Sequence, residues 1–494
     1  MTQALALPRI IQGGMGVGVS DWRLARTVSM LGHLGVVSGT GIDTVLVRRL
    51  QDGDIGGHVR RAMAKFPLPR AAEDVLRLYF REGGRPPGTP YKSTPMYRQA
   101  VSTARQQLSM LAAFVEVTLA KEGHRGQVGM NLLTKIQLPN LAFLYGAMLA
   151  GVDYILMGAG VPREIPGALD LMAKHQTASL RLDLENPTAA PALYIKFDPM
   201  EHWDGPPPEI RRPMFLAIIA SNSLATMLTR KATGKVDGFV IEGPTGGGHN
   251  APARGELRYN ERGEPVYGER DEVDLEKMRQ LGVPFWTAGG AGSPDRVVEA
   301  LEAGAAGVQV GTLFAYSDES GMTEPVKRSI LAHALRDDVD VFTDLRASPT
   351  GYPFKVVRWG GDPAIGVKRQ RVCDVGGLRV SYITPQGTVG YRCPAEPEKD
   401  YVRKGGKAEE TEGRKCLCNA LMANIGIGQL REDGWVEPPL ITSGTDLTII
   451  STFLAGRTRY SAKDVIDYLL SKCGPESSGV VPLSVPEVAA VRRG

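Results

Sequence analysis

Short apolar runs alternate with amphipathic stretches along most of the first 338 positions. Eight runs read as buried strands: 9–14, 34–38, 128–133, 154–157, 214–220, 238–242, 285–290 and 307–310. Helical spacing fills the gaps, at 21–31, 43–50, 98–122, 139–150, from Pro162 to about 175, and at 223–232, 273–281, 294–303 and 323–336. Ser20 reads as one N-cap, and Ser293 as another with Pro294 at the first helical position. Two stretches break the rhythm. The first, 53–95, is rich in Gly, Pro and Arg and predicts one helix at 71–81. The second, 177–212, suits a strand pair at 178–183 and 193–197.

Strands this apolar, joined through helices, predict a parallel sheet covered on both faces. Eight such units with glycine-rich strand ends predict a closed (β/α)8 TIM barrel over 1–338, with insertions at 53–95 and 177–212. No GxGxxG stands on the first strand, which argues against a dinucleotide fold. From 339 to 494 the chain is loop-rich, with short strands near 376–383 and a last helix at 461–472. This stretch reads as a C-terminal extension packed on the barrel.

Composition narrows the function classes. A net charge of +4 spread over 494 residues supplies no nucleic-acid or membrane-surface footprint. No apolar run reaches the ~18 residues that a membrane span needs. The five cysteines are odd in number and all follow position 370. With no signal-type start, the expectation is a reducing cytoplasm and not a disulfide framework.

The candidate chemistry sits at the strand ends. The segment 286–314 ends two successive strands in glycines, Gly289-Gly290 and Gly311-Thr312. In a barrel the loops after strands seven and eight are the usual phosphate site, so these residues predict a phosphorylated ligand. His249 follows three glycines at the end of strand six, where barrel active sites lie. An imidazole titrates near neutrality and can take a proton from carbon or hydroxyl, which makes His249 the candidate catalytic base. The other six histidines lack a comparable setting. Asn131 is an amide within an apolar run and needs a partner if buried. Ser221, at the end of strand five, is a similar candidate. Gly14 and Met15 offer backbone N–H groups and a soft thioether to a flat ring. Cys373, Cys393, Cys416 and Cys418 are the only thiols that could form a metal set. Their Cys-x-Cys pair and long gaps fit no common ligand pattern, so no metal is expected.

Five motifs in order carry a resemblance. They are Ile10-Ile11-Gln12-Gly13-Gly14-Met15, Gly129-Met130-Asn131-Leu132, Gly158-Ala159-Gly160-Val161-Pro162, Gly246-Gly247-Gly248-His249, and Ala288-Gly289-Gly290 paired with Gly307-Val308-Gln309-Val310-Gly311-Thr312. With them, residues 8–320 resemble the nitronate monooxygenase (2-nitropropane dioxygenase-like) flavoproteins, in the longer subgroup with a cysteine-bearing C-terminus. The resemblance implies a (β/α)8 barrel that binds FMN. It places Gly14, Met15 and Asn131 around the flavin, with Ser221, Gly247 and Gly248 as further candidates for cofactor contact. It places Gly289, Gly290, Gly311 and Thr312 on its phosphate, and His249 as the base. It implies oxidation of an alkyl nitronate with dioxygen, with a small-molecule substrate as partner and self-association left open. The family also includes NAD(P)H-dependent enoyl-acyl-carrier-protein reductases, the alternative activity. An IMP-dehydrogenase-like barrel would need a cysteine after strand six, and none precedes 373. A barrel that only binds flavin or a partner is the remaining alternative.

Overall fold

The structure is a computed structural model that describes residues 7–185, 192–362, 364 and 366–474. Eight strands close a barrel: β1 (Ile10–Gln12), β2 (Leu34–Ser38), β3 (Val128–Leu133), β4 (Tyr154–Gly158), β5 (Met214–Ile219), β6 (Gly238–Glu242), β7 (Phe285–Ala288) and β8 (Gly307–Val310). Each pairs in parallel with its sequence neighbour, and β1 closes on β8 through Ile10↔Val308 and Gln12↔Val310.

The apolar runs follow from burial on both faces. Alternate residues turn inward: Ile11, Val36, Leu156, Leu216, Val240 and Trp286 fill the barrel. Their neighbours Ile10, Val37, Ile155, Phe215, Phe239 and Phe285 turn outward against the helices. Trp286 is fully buried, and its Nε1 donates to the Pro8 carbonyl at 2.7 Å, closing the lower end. The last inward positions change character. Ser38, Asn131, Gly158, Glu242, Ala288 and Gln309 stand at the carboxyl ends of their strands. The upper mouth is therefore polar and open where the lower barrel is packed.

The helices keep the expected order, with local differences. Asp21, not Ser20, caps the helix Trp22–Met30, accepting from the N–H groups of Arg23 and Leu24. Ser20 instead ties down the turn after β1, donating to the Gly13 carbonyl and accepting from Met15 N–H. The insertion at 53–95 holds two helices, His58–Met63 and Pro69–Tyr79, where the pattern shows only the second. The first is a six-residue helix, too short for its period to stand out. Ala178–Arg181 and Tyr194–Phe197 form the expected antiparallel pair.

Beyond the barrel, Val339–Asp344 and Phe354–Trp359 form an antiparallel hairpin. Val380–Ile383 pairs with Val389–Arg392 and, in parallel, with Leu184–Glu185 of the second insertion. The helix Ala462–Leu469 buries Val465, Ile466 and Leu469 in the same apolar core as the barrel helices. No helix among the described residues is long and apolar enough to cross a membrane.

Candidate active site

The polar upper mouth of the barrel opens into a cavity of about 250 Å³. Its floor is made by the strand ends: Gly13 to Met15, Asn131, Glu242, Gly246 to His249, Ala288 to Gly290, and Gln309 to Thr312. Its roof is Phe354, Leu378, Leu417, Cys418 and Leu421, all from the C-terminal extension. This is a polar floor under an apolar lid, the usual make-up of a small-molecule site.

Several of the floor glycines are required by the protein's own packing. A Cβ on Gly14 would stand 2.2 Å from Asn131 Oδ1. One on Gly247 would stand 2.8 Å from the backbone of Ser443 and Gly444. One on Gly289 would stand 2.9 Å from Gly246 N. Gly248 differs: it has φ of +79° and no atom within 4 Å of its missing side chain.

Asn131 is fixed from one side only. Its Nδ2 donates to the Gly14 carbonyl at 3.0 Å, and its Oδ1 is buried without a partner. An orphaned buried acceptor costs about 1–3 kcal/mol, so this oxygen fits a donor on a bound ring. The Met15 thioether lies against Gly311, with Sδ 3.5 Å from where a Cβ there would stand. On the phosphate side, Gly289 and Gly290 both have positive φ, of 79° and 70°. The Thr312 hydroxyl oxygen accepts from Gly444 N–H at 3.0 Å and retains its own hydrogen for an anion. Asp446 accepts from Gly292 N–H beside that corner, and burial raises its pKa. The shift is toward the neutral carboxyl, the direction that lessens repulsion with a phosphate there. The floor thus fits a flat ring over Asn131 and Met15 with an anionic tail toward Gly290, Gly311 and Thr312.

His249 is held by the extension. The Asn250 N–H donates to the Pro353 carbonyl and the Lys355 N–H to the Gly248 carbonyl, at 2.9 and 3.0 Å. The His249 ring meets Phe354 edge-on, with centroids 4.8 Å apart. Nε2 lies 2.6 Å from Ser348 Oγ, which in turn lies 2.8 Å from Thr350 Oγ1. Burial, and then the positive charge of Lys135, bring the imidazole pKa down from 6.5 to about 4. His249 is therefore neutral at physiological pH. Glu242, across the floor, is pushed up from 4.5 to about 7 by burial alone. Both side chains open to the cavity and lie deep beneath the outer surface.

Of the residues singled out from the sequence, Gly14, Met15, Asn131, Gly247, Gly248, His249, Gly289, Gly290, Gly311 and Thr312 all line this one cavity. Ser221 does not. It caps the helix Asn222–Lys231, accepting from Leu224 N–H, and stands outside the lining. A serine at a strand end directly before a helix is as well suited to capping as to ligand contact, and here the cap prevails. Glu242, Gln309, Lys135 and Ser348 were not among the candidates. Glu242 and Gln309 carried a signal, a polar residue at a strand's last inward position. Lys135 and Ser348 carried none.

Residues 210–352 match the family model described as nitronate monooxygenase. A curated relative from Rhodococcus jostii, (3aS,4S,5R,7aS)-5-hydroxy-7a-methyl-1-oxo-octahydro-1H-indene-4-carboxyl-CoA dehydrogenase, is 29% identical over 142 residues. That stretch is 29% of this chain and 35% of the relative, so the match spans about a third of the relative's length. FabK from Thermotoga maritima is similar in structure, with 16% identity over 95% of this chain and 96% of that one, at a TM-score of 0.43. Nitroalkane oxidase from Streptomyces ansochromogenes is similar with 13% identity over 94% and 96%, at a TM-score of 0.44.

Proposed function

We propose, from a chain whose residues 210–352 match the nitronate monooxygenase family model, an FMN-dependent oxidoreductase that oxidises small carbon acids. The substrate class is alkyl nitronates and their parent nitroalkanes, with dioxygen as the final acceptor. One observation carries this reading: a neutral imidazole lines the cavity, and a lysine that lines an adjoining chamber acts on it. Lys135 depresses the His249 pKa, so its field reaches the ring. The same field favours a substrate anion over its neutral acid.

Gly14, Met15 and Asn131 would hold the flavin ring, with Gly247 and Gly248 beside it. Gly289, Gly290, Gly311 and Thr312 would hold its phosphate. FMN, when bound, supplies the acceptor for the electron pair and the reaction with dioxygen. The protein's own residues manage the proton and exclude water. If Ser348 gives its hydrogen to Thr350 Oγ1, the imidazole hydrogen lies on Nε2. Nδ1 is then the free acceptor that removes the α-proton of a nitroalkane. A nitronate arrives already ionised and needs only the field of Lys135. Phe354, Leu378 and Leu417 keep bulk water from the reacting carbon.

A second reading is an NAD(P)H-dependent reductase of enoyl thioesters. A second chamber of about 250 Å³ adjoins the first, sharing Val17, Thr40, Ile136 and Cys418. It is lined by Phe143, Leu138 and Leu182 with Lys135, Arg105 and Arg379, a setting that suits an acyl chain and its polar carrier. The relative's printed name, a dehydrogenase of a CoA thioester, supports the same substrate class.

The test is the visible spectrum of the purified protein, followed by anaerobic addition of ethyl nitronate and, separately, of NADPH. Bleaching by nitronate and not by NADPH is the expected result. Rapid bleaching by NADPH alone selects the reductase. No flavin absorbance after incubation with FMN removes both.

A further inference from the structure

The C-terminal extension brings four of its five cysteines to one place. Cys373 lies in the loop between the strands Phe354–Trp359 and Val380–Ile383, Cys393 follows the strand Val389–Arg392, and Cys416 and Cys418 open the helix Leu417–Ala423. All four are free thiols, and all four line one small cavity of about 10 Å³, also bounded by Leu378, Arg379 and Ala395. Cys473 lies elsewhere and is not part of it.

Charges of both signs surround these sulfurs, with Glu396, Asp374 and Glu437 on the acidic side. The guanidinium groups of Arg371, Arg379 and Arg414 all act on them: Arg371 on Cys393 and Cys416, Arg379 on Cys373 and Cys393, Arg414 on Cys393. None of the three is in ion-pair contact with a carboxylate among the described residues. Their hydrogen bonds go to backbone carbonyls. Arg371 donates to those of Glu396, Thr411 and Pro394, Arg379 to those of Gly376 and Tyr97, and Arg414 to that of Ser348 among others. Glu398 acts on Arg371 and Asp344 on Arg414 from beyond contact distance, so the three half-buried cations are only partly offset and still favour an anion among them. Four neutral thiols do not meet that need. Backbone N–H groups also point at the sulfurs, from Ala395 to Cys393 and from Asn419 to Cys416, and Asn419 Nδ2 lies 3.5 Å from Cys416 Sγ. Such N–H···S contacts are the outer partners that metal-bound thiolates use.

We propose that Cys373, Cys393, Cys416 and Cys418 form a structural site for one tetrahedral divalent metal ion of the zinc class. Four thiolates on one such ion leave a net charge of about −2, which the three arginines offset. The cavity of about 10 Å³ holds about one water-sized sphere, which favours a single ion over an iron–sulfur cluster. In the metal-free arrangement no three such side chains yet meet as a cage among the described residues. Ligation draws the sulfurs inward and releases their protons. The site would pin the loop carrying Leu378 to the helix carrying Leu417 and Cys418, three residues of the cavity roof. It is thus a clamp on the lid and stands apart from the chemistry on the floor.

The test is elemental analysis of the full-length protein purified without chelator, with zinc in the medium, alongside thiol titration before and after a thiol reagent releases bound metal. About one zinc per chain is expected, with one accessible thiol (Cys473) before release and five after it. Cys393→Ser lowers zinc content, and Cys473→Ser leaves it unchanged. Zinc measured in the parent protein supports the site even if Cys393→Ser does not fold. Iron with an equal amount of acid-labile sulfide overturns the single-ion site. So does metal-free protein with five titratable thiols, or with a Cys416–Cys418 disulfide.

Discussion

Glu242→Gln separates a buried neutral carboxyl from an ordinary surface acid. Glu242 ends β6 on the cavity floor, and burial alone raises its pKa from 4.5 to about 7. Below pH 4.5 the carboxyl is protonated in both folded and unfolded chains, and it adds no pH dependence. Between 4.5 and about 7 the unfolded chain ionises while the folded one holds its proton, so stability falls as pH rises. Above about 7 both are ionised and the whole penalty is in place. The gap, at about 1.36 kcal/mol per pH unit, amounts to about 3 kcal/mol. Glutamine has nearly the same shape and never ionises. Glu242→Gln should therefore match the parent at about pH 4 and exceed its stability by about 3 kcal/mol at about pH 8. Urea denaturation followed by tryptophan fluorescence, at both pH values and with FMN saturating, reads the difference. An offset of the same size at both pH values would refute the assignment. It would mean that the carboxyl titrates alike in the folded and unfolded chains.

Four further outcomes are expected. His249→Ala should lower kcat/KM for a nitroalkane by about 10²–10⁴-fold and affect a preformed nitronate far less, because only the nitroalkane needs a base. In the parent protein the nitroalkane rate should hold down to about pH 5 and fall toward the imidazole pKa of about 4; an acid limb near 6.5 would contradict the buried setting. Lys135→Met should raise KM for the nitronate roughly 1.5- to 5-fold, the effect of an exposed charge worth ~0.2–1 kcal/mol, and move the acid limb to higher pH. Gly14→Ala places a Cβ 2.2 Å from Asn131 Oδ1, and flavin absorbance per chain should drop along with about 1–3 kcal/mol of stability.

The sequence by itself determined the barrel. Its strands are buried on both faces, so they appear as unbroken apolar runs whatever packs around them, and the gaps between them carry helical spacing. The floor was legible for a related reason. Gly14, Gly247 and Gly289 must lack a side chain for the loops to meet, and a backbone constraint of that kind appears as a fixed local motif. What lies over the floor was decided only in three dimensions. Ser348 reaches His249 across 99 positions, and Leu378 and Leu417 complete the roof from farther still. Ser221 shows the same limit from the other side. A strand-end serine can face a ligand or cap a helix, and the choice depends on where the next helix starts. The four cysteines could be grouped from the sequence, but their spacing follows no common ligand pattern and gave no reason to expect a metal. Only the folding of the extension around Arg371, Arg379 and Arg414 brings those sulfurs to one charged cavity. Local periodicity and backbone sterics are written along the chain, whereas burial, field and cross-chain contact exist only once distant segments share a space.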